Sequence, residues 1–142
     1  HNPRDLPELE RMPGVCGVKI FMGASTGDLL VEDDAGVRDV LRNGFRRVAI
    51  HSEDEFILRE NKRLAREGDW TSHPEVRSVE TAVSSTRRLI ALARETRRRI
   101  HVLHVTTAEE VPILAAAKDI ATAEVTPQHL TLEAPDCYLR LK

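Results

Sequence analysis

Four short apolar runs of strand length recur along the chain and alternate with segments of helical period. The first is Gly17-Val18-Lys19-Ile20-Phe21-Met22 and the second Arg47-Val48-Ala49-Ile50-His51. The third is Ile100-His101-Val102-Leu103-His104, and the fourth, Ala121-Thr122-Ala123-Glu124-Val125, ends at Thr126-Pro127. A Gly-rich turn, 23–28, follows the first run. The periodicity predicts helices over about 32–43 (with Gly44 as the stop), from Ser52 to near Gly68, over about 78–98, and over about 108–118. Ser52 with Glu55, and Thr107 with Glu110, have capping-box spacing at two of the helix starts. Strand alternating with helix is the order of a parallel sheet with right-handed crossovers, an α/β architecture. Strands so continuously apolar are expected to be buried on both faces. Doubly wound sheet and (β/α) barrel both fit this order.

Composition excludes several partners. With 142 residues the chain has material for one domain. A net charge of -2 and a pI near 6.3 give no electrostatic case for nucleic acid or an anionic membrane. The one basic run, Arg97-Arg98-Arg99, closes a predicted helix, where cations complement the dipole. Cys16 and Cys137 lie far apart and form neither a disulfide framework nor a CxxC pattern, so reduced thiols and a cytoplasmic setting are expected. No apolar run is long enough to span a bilayer, and no signal peptide is visible. The chain opens on His1-Asn2-Pro3 rather than Met, and an upstream portion is expected. The 23–28 turn lacks the GK[ST] ending of a P-loop, and no GxSxG elbow occurs.

In α/β folds, chemistry collects at the C-terminal ends of the strands. Three strands carry an ionisable residue in or at the end of an apolar run: Lys19, His51 and His104. Each has an ordinary explanation alone, a snorkelling lysine or a satisfied core histidine. Together, on three strands and aimed at one end, they point to a metal centre, because neutral imidazole is the commonest metal ligand. His101 and His104 differ by three positions and would face opposite sides of a regular strand. His104 is therefore assigned to the metal and His101 to structure. His129, after the fourth strand, is a candidate substrate contact. Ser52, Glu53 and Asp54 suit the positive end of the following helix without catalysis.

These residues also carry a resemblance. Gly17-Val18-Lys19-Ile20-Phe21-Met22 resembles the fourth barrel strand of the dihydroorotase and hydantoinase branch of the amidohydrolase superfamily. Ile50-His51-Ser52-Glu53-Asp54 is similar to the fifth-strand histidine motif, and Val102-Leu103-His104-Val105-Thr106 to the sixth. Ala123-Glu124-Val125-Thr126-Pro127-Gln128-His129-Leu130 resembles the seventh strand and its turn. The resemblance covers nearly the whole chain. It implies a partial TIM (β/α)8 barrel, about strands four to seven, forming a single incomplete domain over 1–142. It implies a divalent metal centre, binuclear in the intact protein and with zinc the expected ion, in which Lys19 as a carbamate, His51 and His104 are the ligands. The implied activity is hydrolysis of a cyclic amide, with dihydroorotate and N-carbamoyl-aspartate, of pyrimidine biosynthesis, as the favoured pair. Hydantoinase or allantoinase activity is the nearest rival. A third reading is a non-catalytic dihydroorotase-like scaffold for aspartate transcarbamoylase.

The family's first-strand His-x-His does not occur here, and Asp136, after Pro135 in a predicted loop, does not match the eighth-strand aspartate. A whole barrel needs about 250 residues. The 142 residues alone are therefore expected to be inactive, with no catalytic residue beyond the metal ligands. Open sheet edges and an apolar inner face are expected to drive homo-oligomerisation or association with the remaining barrel segments.

Overall fold

A computed structural model describes residues 2–25 and 27–140, with the Gly27 backbone included. His1, and Thr26 in the middle of the predicted Gly-rich turn, lie outside the described residues. The four apolar runs form one parallel sheet in the order β1-β2-β3-β4, with β1 at Val18–Phe21, β2 at Val48–His51, β3 at Ile100–Val102 and β4 at Ala121–Ala123. The register sets Lys19 beside Ala49, Ala49 beside His101, and His101 beside Thr122. A doubly wound sheet reverses its order at a switch point. Sequential order throughout is that of a barrel wall, with the crossover helices on one side.

Those helices are α1 (Asp34–Arg42), α2 (Glu55–Asn61), α3 (Val79–Thr96) and α4 (Glu110–Ala115). Alternation along each strand divides the sheet. Ile20, Val48, Ile50, Ile100, Val102 and Ala121 face the helices and are buried against Val37, Leu41, Leu89, Ala93, Leu114 and Ala117. Each fully buried aliphatic side chain of this kind stabilises the fold by about 1.5–3 kcal/mol. The other face carries Lys19, Ala49, His101 and Thr122, partly or fully exposed. Burial on both faces, expected from the apolar runs, is thus not observed among the described residues. The period of two divides each strand, and only one face has a helical layer to pack against. Nor is the open face apolar, because three of these four residues are polar.

Other expectations change with local chemistry. Asp54, not Ser52, caps α2, accepting from the backbone N–H groups of Phe56 and Ile57 at 3.1 and 3.3 Å. The Ser52 hydroxyl lies instead 3.0 and 2.9 Å from the hydroxyls of Ser85 and Thr86. The helix expected to reach Gly68 ends at Asn61 and passes into a 3-10 turn, Lys62–Leu64. Thr107 and Glu110 do meet, but side chain to side chain: the Thr107 hydroxyl donates to the buried Glu110 carboxylate at 2.8 Å. Helix α4 is accordingly shorter than predicted, Glu110–Ala115. Asp136 opens a helical turn, Asp136–Arg140, rather than lying in a loop.

The Arg97-Arg98-Arg99 run does not end α3 as a set of dipole partners. Arg97 adopts a left-handed conformation (φ 56°) and breaks the helix. Arg98 turns inward and donates to Glu10 Oε1 at 2.9 Å, both side chains being almost fully buried. Glu10 Oε2 also accepts from the backbone N–H groups of Phe45 and Arg46. The approach requires glycine at 44 (φ 84°), where a Cβ would stand 2.6 Å from Glu10 Oε2. This clamp ties the segment before β1 to the start of β2 and the end of α3, opposite the end where β2 and β3 deliver their histidines.

Candidate functional site

His51 closes β2, and its side chain leaves the sheet on the open face, the one that carries Ala49 two residues earlier. Strand β3 ends at Val102, two residues short of the predicted end, and His104 takes a positive φ of 38°. This turn invalidates the regular-strand parity that set His101 and His104 on opposite faces. The backbone swings His104 back over the open face, where His51 Nδ1 and His104 Nε2 stand 3.0 Å apart. Their rings meet edge to face, with centroids 4.8 Å apart.

Lys19 projects from β1 on the same face, two residues before Phe21, which pairs with His51. Its Nζ lies 4.1 Å from the centre of the Phe21 ring, and that ring lies 6.0 Å from the His51 ring. Burial lowers the Lys19 amine below its ordinary value, with Glu124 opposing. Burial also lowers the His104 pKa, and the charges of His51 and Lys19 act in the same sense. His101 is turned away from the pair, with Nδ1 2.8 Å from Thr122 Oγ1 and Nε2 3.2 Å from Glu124 Oε2. His129 lies in the helical turn Pro127–Thr131 with Nδ1 2.8 Å from the Thr126 hydroxyl, and is exposed.

Sequence reasoning missed Glu53. Its carboxylate is buried and does not serve the helix end. Oε2 lies 3.1 Å from His51 Nε2. Arg77, from the loop before α3, holds both carboxylate oxygens, donating from Nε at 2.8 Å and from Nη2. Burial works against the Glu53 charge, but the His51 and Arg77 hydrogen bonds outweigh it and bring its pKa down to about 2. A carboxylate two residues past a strand-end histidine was the available signal. Arg77, 24 positions further on, reaches it only through the fold.

Among the described residues, no three His, Cys, Asp or Glu side chains converge as a metal cluster. The donor set on offer is two imidazoles plus the Lys19 amine. The imidazoles fit a metal: two Zn–N bonds of about 2.0–2.1 Å at a tetrahedral angle set the nitrogens about 3.3 Å apart. The observed 3.0 Å needs to open by only a few tenths of an ångström.

No protein-family model matches the chain. It is 38% identical over 90 residues to the dihydroorotase of Carboxydothermus hydrogenoformans, covering 60% of this chain and 20% of that protein. It is 30% identical over 149 residues to the dihydroorotase of Methanosarcina acetivorans, covering 95% and 32%. The allantoinase of Solibacter usitatus is 31% identical over 153 residues, covering 98% and 33%. The chain therefore spans about a third or less of these relatives. The crystal structure of dihydropyrimidinase from Brevibacillus agri superposes with a TM-score of 0.82 at 26% identity, over 92% of this chain and 30% of that one. The described residues contain no helix long and apolar enough to cross a membrane. Sequence identity and the four-stranded parallel barrel wall agree: over nearly its whole length the chain is similar to one segment of the dihydroorotases, allantoinases and hydantoinases, and it has the fold of the matching part of their barrel.

Proposed function

We propose that these residues form part of the metal centre of a cyclic-amide hydrolase, in which Lys19, His51 and His104 hold a divalent cation. One observation carries this reading. Two imidazole nitrogens from the ends of neighbouring parallel strands face each other at 3.0 Å, on the sheet face that also carries a lysine. Lys19 acts as a carbamate: the depressed amine is the form that captures carbon dioxide, and the product is an anion suited to a cation. Zinc suits the mixed nitrogen and oxygen donors. The bound metal supplies Lewis-acid polarisation of the scissile carbonyl and activation of water. His51 and His104 fix its position, and His129, at the same end of the sheet, contacts substrate.

Dihydroorotate, interconverted with N-carbamoyl-aspartate in pyrimidine biosynthesis, is the substrate we favour, supported by the 38% identity to a curated dihydroorotase. Hydantoins and allantoin are the rival substrates, favoured by the allantoinase match at 31% and the dihydropyrimidinase superposition. Anomalous scattering at the zinc edge, from crystals grown with zinc, tests the centre. The expected result is a peak about 2.0–2.1 Å from His51 Nδ1 and His104 Nε2, with added density on Lys19 Nζ. Crystals without a peak there reject it. Hydrolysis of dihydroorotate, hydantoin and allantoin, measured side by side on the polypeptide that carries this segment, assigns the substrate.

A further inference from the structure

The Glu53 carboxylate is buried, and among the described residues it hydrogen-bonds the His51 ring and the Arg77 guanidinium. An ionised carboxylate accepts hydrogen bonds and donates none. The hydrogen between Glu53 Oε2 and His51 Nε2 therefore belongs to the ring. A neutral imidazole carries one N–H, so Nδ1 is left with a bare lone pair, and Nδ1 is the atom that faces His104 Nε2 at 3.0 Å. Arg77, bonding both carboxylate oxygens, prevents the carboxylate from rotating out of this contact.

We propose that Glu53 and Arg77 are positioning residues, which lock His51 in the Nε2–H tautomer and so aim its Nδ1 lone pair at the metal position shared with His104. This rests on the metal-centre reading above. The two histidines are unequal in consequence. His51 is in its metal-binding form before any metal arrives, whereas His104 Nε2 donates to His51 Nδ1 and must give up that hydrogen. Partners that fix the tautomer of a ligating histidine are worth 10–100-fold in metal affinity.

The replacement Glu53→Leu tests the lock. It takes away the acceptor that faces His51 Nε2, so the ring hydrogen is no longer held there. The experiment is a long-range proton–nitrogen correlation spectrum of the metal-free 142-residue chain at pH 8, with zinc affinity measured by competition against a chromogenic chelator. The expected wild-type result is Nε2–H at His51. E53L is expected to populate Nδ1–H at His51 and lower zinc affinity 10–100-fold, and R77Q to lower it less.

Nδ1–H at His51 in the wild type overturns the proposal, as does an E53L chain with unchanged tautomer and affinity. The wild-type spectrum and R77Q decide the matter even where E53L does not fold. Wild-type protein that shows Nε2–H but binds no zinc overturns the metal-centre reading while leaving the Glu53 lock standing. A merely structural Glu53 would change stability without moving the ring hydrogen.

Discussion

Gly23, just past β1, lies against the backbone carbonyl of Glu53, so close that a Cβ on it would stand 2.6 Å from that oxygen. Leu58 Cδ1 would be 3.2 Å away on another side. The loops after the first two strands are thus pressed together at the residue that contacts His51. Backbone cannot yield as a flexible side chain does, so Gly23→Ala must displace the Glu53 segment. The expected cost is about 1–3 kcal/mol, read as a lowered midpoint in urea unfolding. The His51 resonances should shift in the same variant. An unchanged midpoint would show that the two loops are not in rigid contact.

Arg88, on α3, joins three parts of the fold. It donates to Asp54 at 2.6 Å, to Asp34 at 3.0 Å and to the Glu32 carbonyl at 2.9 Å. Burial alone would raise the Asp54 pKa, but the Arg88 hydrogen bond and the Ile57 N–H outweigh it, and the group titrates below its ordinary 3.8. A depressed folded-state pKa means stability that is present above the ordinary value and lost as the pH falls through the folded one. Arg88→Met should cost about 2 kcal/mol at pH 7, from charged hydrogen bonds lost. The gap between wild type and variant should narrow as the pH falls below about 3.8. Urea titrations at pH 7 and pH 3 check this, and a constant gap would contradict it.

Thr86 and Thr107 both donate to Glu110, at 2.6 and 2.8 Å, and that carboxylate is 2% exposed. Thr86→Val keeps the shape and removes one donor. A buried polar group left short of a partner costs about 1–3 kcal/mol, which a thermal unfolding scan will resolve. A second change, Glu110→Leu, should recover part of that loss in the Thr86→Val background, because it removes the stranded acceptor.

Zinc binding to His51 and His104 should be visible as stabilisation. A ligand that binds only the folded chain adds about 2.7 kcal/mol when present at 100 times its Kd. Thermal unfolding of the wild type is expected to shift upward with added zinc and return with a chelator. His51→Ala and His104→Ala should each abolish the shift. A shift that survives both replacements would place the zinc elsewhere.

The architecture could be read from the sequence because it rests on local pattern. Val48-Ala49-Ile50 and Ile100-His101-Val102 both lie in strands, and their alternation with helices implied a parallel sheet without choosing between a doubly wound sheet and a barrel. Boundaries were less legible. Ser52 and Asp54 are both good caps, and the choice between them depends on Ser85 and Thr86 offering Ser52 other partners from α3. That His101 and His104 share the open face was not legible, because parity holds only while a strand stays regular, and the chain turns before reaching His104. Glu53 was explained too cheaply: an acid beside a helix start has an obvious local purpose, and only the fold brings Arg77 and His51 onto it. Tertiary contacts of that kind leave no periodicity to read.

His104 sits at a φ of 38°, where glycine meets no steric penalty, asparagine is tolerated, and most residues carrying a Cβ are strained. Selection for a more robust fold alone would therefore drift away from histidine at this position, toward Gly or Asn. Selection for metal retention would hold the histidine against that drift. The two pressures pull one codon in opposite directions. A library randomised at 104 and sorted separately by heat resistance and by zinc capture should return two different winners from the same scaffold.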